Sequence, residues 1–206
     1  MFITFEGIDF CGKSTQIELL KSYLLKNKKK VQVLREPGGT EISEKIRTML
    51  LDKKNSKMLM EAEFLLFSAS RAQLVREKIR PYLDEGIYVI SDRFHDSSTA
   101  YQGYGRRISI EVILSIHKLV IGNTVPDITF FIDIPVEIAE QRRQEKLSEQ
   151  LDRIENSNMD FYSRVRKGYF ELAKNENRFR ILDGIDNVES IHEKIINEID
   201  KIEQRL

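Results

Sequence analysis

Eight residues, Gly7-Ile8-Asp9-Phe10-Cys11-Gly12-Lys13-Ser14, constrain this chain more than any other stretch. They fit the pattern G-x-x-x-x-G-K-[S/T]. An apolar, β-rich run (residues 2–6) precedes them, and a segment with helical spacing (Ile17, Leu20, Leu24) follows. Strand, loop and helix in that order are the setting in which the pattern signifies phosphate binding. Glycines let the backbone curl so that several N–H groups face one anion, and the next helix offers its positive end. Gly7, Ile8, Asp9, Phe10, Cys11, Gly12, Lys13 and Ser14 are therefore expected to cradle the phosphates of a nucleotide such as ATP. Within that set, Lys13 should reach the β and γ phosphates and Ser14 should ligate Mg²⁺ through its hydroxyl. Cys11 reads more simply as a small side chain in a tight loop.

The rest of the chain alternates in the same way. Five β-rich runs, at 2–6, 31–35, 87–92, 128–133 and 179–183, are separated by stretches with helical spacing, for example Leu74, Val75, Ile79 and Leu83. The alternation predicts an α/β fold, a five-stranded parallel sheet flanked by helices, with ligands near the carboxyl ends of the strands. The runs are mostly apolar rather than strictly alternating, as strands covered on both faces should be. Four of the five end in, or lead into, a polar or charged residue, and chemistry is expected there. A stripe of Val188, Ile191, Ile195, Ile199 and Ile202 predicts a C-terminal amphipathic helix packed on the sheet. A stretch dense in charge, with Leu147, Leu151 and Ile154 as its bulky apolar residues, predicts a short lid at about 140–155. With no internal repeat and no Pro/Gly/Ser-rich linker, residues 1–206 read as one domain.

Composition narrows the partners. Thirty-three basic and 33 acidic side chains cancel, so no global field favours nucleic acid or an anionic membrane, and anion recognition has to be local. The Lys-rich patch 26–30 reads as a solvated helix end, where cations suit the dipole. The longest apolar runs, such as 128–134, are far short of the roughly 20 residues a spanning helix needs. One cysteine, Cys11, leaves no intramolecular disulfide, and no charged-then-apolar leader is evident. Both features point to a reducing compartment, with the cytoplasm as the expectation. A guanine-reading N-K-x-D after a strand is missing: Asn27-Lys28-Lys29-Lys30 ends in lysine and precedes a strand. That argues against a GTP-operated switch.

Three further motifs stand in order behind the loop: Arg35-Glu36-Pro37-Gly38-Gly39-Thr40, Phe67-Ser68-Ala69-Ser70-Arg71 and Asp92-Arg93-Phe94. Taken with the loop, they resemble thymidylate kinase of the bacterial type, from Phe2 to about Gly184. The resemblance implies a three-layer P-loop NTPase fold, Mg-ATP as phosphoryl donor and dTMP as acceptor, and a homodimer, for which a long helix at about 58–85 would supply the interface. Phe67 would stack on the thymine and Arg71, four residues along the same helix face, would meet its carbonyl edge. Ser97, Ser98 and Gln102 would contact the nucleotide or its base, and Tyr101 would crowd the ribose 2′ position. Asp9 would hold the acceptor's 3′-hydroxyl, and Arg93 would grip its phosphate with Arg35 assisting. Asp92 would either orient Arg93 or hold a Mg²⁺-bound water. The nearest rival among enzymes is another deoxynucleotide or nucleoside kinase.

One residue departs from part of that family. Some members carry an arginine inside the loop where this chain has Phe10, which cannot neutralise a phosphate. The expected substitute is a lid arginine, foremost Arg153 in Leu151-Asp152-Arg153-Ile154-Glu155, with Arg142 and Arg143 as alternatives and Lys146 nearby. Lys13, Arg93, Arg153 and Asp9 thus form the expected catalytic group.

Overall fold

The protein is described by a computed structural model for residues 1–145 and 151–204. Five strands form one sheet: β1 (Phe2–Glu6), β2 (Val31–Arg35), β3 (Tyr88–Asp92), β4 (Ile128–Asp133) and β5 (Phe179–Asp183). Their order is β2-β3-β1-β4-β5, and every neighbouring pair is parallel. The α/β architecture and all five strands agree with the sequence reading, with β3 beginning one residue later. Full cover does not extend to the edges. β1 and β4 are buried almost throughout, whereas β2 has no buried residue and β5 buries only Phe179 and Leu182, because an edge strand has a neighbour on one side only.

The helices are α1 (Lys13–Lys26), α2 (Glu41–Leu51), α3 (Met60–Leu74), α4 (Arg80–Asp84), α5 (His95–Ser98), α6 (Ile110–Ile121), α7 (Val136–Gln144), α8 (Met159–Asn175) and α9 (Val188–Glu203). A core containing Ile17, Leu20 and Leu24 of α1 and Ile191, Ile195 and Ile199 of α9 joins these helices to the sheet. A second cluster, Phe2, Leu74, Val75, Ile79, Val89, Phe94, Val120 and Ile121, seats α3 and α6 against β3. The long helix expected at 58–85 is interrupted. Residues Val75–Ile79 form a wider π-helical turn between α3 and α4, just ahead of Pro81, which lacks an N–H and crowds the carbonyl four residues back. No helix among the described residues is long and apolar enough to cross a membrane.

The site follows from this topology. β1 lies between β3 and β4, so the connections from β1 leave the sheet where the strand order reverses, and a crevice opens at the carboxyl ends. Gly7–Gly12 and Asp92–Phe94 emerge into it side by side, fixed by the register Phe5 to Asp92.

Candidate active site

Turning the chain from a buried strand into α1 within six residues forces unusual backbone. Gly7 has φ +139° and a Cβ there would lie 2.4 Å from the carbonyl oxygen of Ile132; Gly12 has φ +99°. Both values favour glycine. Phe10, at φ 66°, takes a left-handed conformation without that freedom. The Lys13 ammonium folds back over its own loop, donating to the carbonyl of Ile8 at 3.0 Å and of Gly7 at 3.4 Å. Asp9, Phe10, Cys11, Gly12, Lys13 and Ser14 line a cavity of about 600 Å³, while Gly7 and Ile8 form its support.

Beside the loop, also lining the cavity, lies Arg93, likewise left-handed at φ 72°, a conformation found where surroundings over-determine a functional side chain. Its Nη2 donates to Asp9 Oδ1 at 2.6 Å and to the Tyr101 hydroxyl at 3.1 Å. Its Nη1 donates to Gly7 O at 2.8 Å, Ser97 Oγ at 3.1 Å and the Tyr169 hydroxyl at 3.2 Å. Asp9 Oδ2 accepts from the hydroxyls of Tyr101 (3.0 Å) and Tyr162 (2.8 Å). Burial by itself would raise the Asp9 carboxyl, but the charges of Arg93 and Lys13 and the two hydroxyls hold it below the ordinary range. A carboxylate offers about four acceptor positions, so Asp9 retains one for a further donor. Asp92 also lines the cavity, yet none of the hydrogen bonds that aim Arg93 among the described residues goes to it. Against the effect of burial, the Asp92 charge nevertheless acts on Arg93, helping to keep its guanidinium protonated.

Phe67, half-buried, forms one wall together with Arg35, Arg71, Ser97, Ser98, Tyr101 and Gln102. Arg71 is 1% exposed. Its Nε donates to Glu36 Oε2 at 2.6 Å, Nη1 to Ser98 Oγ at 3.1 Å and Nη2 to the carbonyl of Phe94 at 3.2 Å. Burial pushes the Glu36 carboxyl up to about 7 against the pull of Arg71. Glu36 Oε1 is left buried without a partner. The following Glu36–Pro37 peptide is cis. Arg35 is largely exposed and pairs with Glu44 at 3.1 Å. Gln102 donates to Glu63 at 3.0 Å.

The segment expected to form a lid is described only at its two ends. Residues 146–150, among them Lys146 and Leu147, lie outside the described residues. Arg153 is not brought to the cavity: its Nη1 pairs with Glu63 Oε2 at 2.7 Å and its Nε donates to Leu50 O at 2.8 Å. Glu63 is 1% exposed, and a buried carboxylate claims the nearest cations; Arg106 serves it as well. Arg143 pairs with Glu140. Of these three arginines the one that lines the cavity is Arg142, whose Nη1 donates to Phe10 O at 2.9 Å. Sequence reasoning gave no role to Glu6, Tyr162, Tyr169 or Arg47, which lines the cavity, and named Glu36 only within its motif. For Glu6 the signal existed, a charge ending the apolar run Phe2–Phe5. The α8 tyrosines follow ordinary core spacing, and nothing in the sequence separates them from packing.

This arrangement pairs a phosphate loop with a second cationic grip beside it in an aromatic-walled cleft. The family model described as thymidylate kinase matches residues 5–195. The chain belongs to the thymidylate kinase family. Among curated members, thymidylate kinase of Kosmotoga olearia is 47% identical over 199 residues, covering 96% of this chain and 94% of that one. Thymidylate kinase of Chlorobaculum tepidum is 47% identical over 210 residues, covering 98% of each. The crystal structure of thymidylate kinase from Ehrlichia chaffeensis superposes with a TM-score of 0.79 at 36% identity, across 97% of this chain and 98% of that one. Membership makes the chain an enzyme, a phosphotransferase, with the P-loop kinase fold expected from its sequence.

Proposed function

We propose that this chain transfers the γ-phosphoryl group of ATP to dTMP, giving dTDP and ADP. The observation that carries the reading is that one cavity is lined at once by the phosphate loop, the Asp9–Arg93 pair and the Phe67 wall. An oxygen of the acceptor phosphate attacks the γ-phosphorus as the bond to the β–γ bridging oxygen breaks. The acceptor is already an anion near neutral pH, so no general base is required and positioning and charge neutralisation supply the rate. Lys13 serves the donor phosphates and Arg93 the acceptor phosphate, with Arg35 at the rim. The free acceptor position of Asp9 suits the 3′-hydroxyl, and the Tyr101 ring beside it suits a sugar lacking the 2′-hydroxyl. Phe67 offers the stacking face. Arg71, Ser98 and Gln102 offer polar groups at the base edge, and Ser97 one beside Arg93.

Mg²⁺ fits the residues present. Ser14 and Asp92 bring hard oxygen donors to the cavity lining, and no hydrogen bond among the described residues joins the Asp92 carboxylate to Arg93. No group of three metal-ligating side chains occurs among the described residues, which suits an ion held by one or two protein oxygens, waters and substrate phosphates. When bound, it would neutralise charge developing on the β and γ oxygens. For the cation missing from Phe10, the cavity lining favours Arg142, and Arg153 becomes the alternative. The lid segment at about 140–155 within one domain would close over both substrates.

We also infer a cytoplasmic homodimer. Leu65 on α3 and Val112 and Leu119 on α6, helices that pack together, are 54%, 48% and 75% exposed, an apolar face that a second copy would cover. The test of the function is ADP release with a panel of nucleoside monophosphates. dTMP should be turned over fastest, dUMP less well and AMP or CMP poorly. Faster turnover of AMP, CMP or an unphosphorylated nucleoside would favour the other nucleotide kinases.

A further inference from the structure

Beside Arg93, reaching back from the cavity wall at Ser97, three oxygens meet in a triangle. Ser97 Oγ lies 2.5 Å and the Tyr169 hydroxyl 2.9 Å from the same carboxyl oxygen of Glu6, Oε2. The two hydroxyl oxygens are themselves 2.8 Å apart. All three edges are hydrogen-bond distances, so the triangle requires three hydrogens, and the two hydroxyls supply two. The neighbouring N–H groups do not lie on these edges: Phe94 N–H is directed at Glu6 Oε1, at 2.8 Å, and Arg93 Nη1 approaches the hydroxyls from outside. With an ionised Glu6, both hydroxyls would point at the carboxylate, and two oxygens would face each other at 2.8 Å with no hydrogen between them.

We propose that Glu6 is a neutral carboxylic acid whose own hydrogen closes a ring from Glu6 to Ser97 to Tyr169 and back, and that this ring is a positioning device for Arg93. The charges around Glu6 agree. It is fully buried at the end of β1. Arg93 faces it from the end of β3 and is paired with Asp9. Asp96 faces it from α5 and is gripped by Arg178, from just before β5, at 2.7 Å through each guanidinium arm. Tyr169 comes from α8. Arg93 and Arg178 each already have their own carboxylate, so an ionised Glu6 would be a third, unmatched anion in a buried site. Burial and the neighbouring Asp96 push its carboxyl up to about 7, against the pull of Arg93.

The consequence for the reaction rests on the reading that Arg93 grips the acceptor phosphate. A neutral Glu6 leaves the Arg93 charge to Asp9 and the substrate, and the ring holds Ser97 Oγ and the Tyr169 hydroxyl where Nη1 finds both. Ionisation removes one ring hydrogen and sets a buried anion in competition with the phosphate.

Two readouts test this. Carboxyl ¹³C NMR of the glutamate-labelled wild type, with Glu6→Gln assigning the resonance, should show Glu6 protonated at about pH 6 and titrating near neutrality. In kinetics, the KM for dTMP of the wild type should rise several-fold relative to Glu6→Gln between about pH 6.5 and 8.5, with kcat changed less, because the substrate's own ionisation is common to both enzymes. The carboxamide cannot ionise and supplies the missing donor, so Glu6→Gln should keep the low-pH KM throughout. A Glu6 carboxyl already ionised at about pH 6, or superimposable wild-type and Glu6→Gln pH profiles, would overturn the proposal. If Glu6→Gln fails to fold, a sequence-specific carboxyl assignment in the wild type decides the protonation state alone. Absence of dTMP turnover at any pH would instead overturn the acceptor reading, and the NMR titration would still report on the ring.

Discussion

Arg142 Nη1 donates to the carbonyl oxygen of Phe10 at 2.9 Å, tying the end of α7 to the one loop position that lacks the cation carried by part of the family. A guanidinium that gains its partner only in the transition state changes kcat rather than binding. Arg142→Ala should therefore lower kcat by about 10³-fold, near the lower end of arginine-finger effects, with both KM values changed little. Arg153→Ala should cost less in kcat and more in thermal stability, since it strips a partner from the buried Glu63. A larger kcat loss in Arg153→Ala than in Arg142→Ala would return the role to Arg153.

Lys13 donates to two carbonyls of its own loop and to Cys11 Sγ, and it lines the cavity. Lys13→Ala should abolish measurable phosphoryl transfer while the thermal midpoint and circular dichroism stay near wild type, because the lysine neutralises charge in the reaction. Substantial residual transfer would remove this loop from the donor site.

Phe67 is only half-buried and lines the cavity. Phe67→Ala should raise the KM for dTMP by roughly 10- to 100-fold, the range that loss of one base–aromatic stack of about 1–3 kcal/mol supplies, and leave the KM for ATP nearly unchanged. An unaltered dTMP KM together with a lowered melting temperature would make Phe67 a packing residue.

Glu6 and Glu36 have carboxyls raised from 4.5 to about 7, so between those values the folded state binds more protons than the unfolded one. Their contribution to stability then falls as pH rises through that window. Relative to Glu6→Gln, the melting temperature of the wild type should fall from about pH 5 to pH 7.5; Glu36 and the buried His95 and His117, whose lowered pKa values add stability as pH rises, are common to both proteins and cancel in the difference. Parallel curves would show that Glu6 does not gain a proton on folding.

What was legible in the sequence was whatever local spacing encodes. The loop pattern, the five β-rich runs and the α9 stripe each depend on residues close in the chain, and the structure shows the corresponding elements. The destination of Arg153 depended on Glu63, ninety residues earlier, and on the competition of a buried carboxylate for cations, which no local pattern records. Glu6 shows the same limit: its place at the end of β1 was readable, but its ring with Ser97 and Tyr169 is assembled from three distant segments. Pro81 was visible in the sequence, yet the π-helical turn Val75–Ile79 ahead of it, which buries Val75 and Ile79 in one core cluster with Val89, was not.

The central claim is that this cavity joins ATP to dTMP, and its most direct test follows the transferred group. With γ-³²P-labelled ATP, Mg²⁺ and dTMP, the purified wild type should move the label to the terminal phosphate of dTDP in step with ADP formation, and far faster than to AMP, CMP or water. Label recovered as inorganic phosphate, or carried preferentially to AMP or CMP, would contradict it.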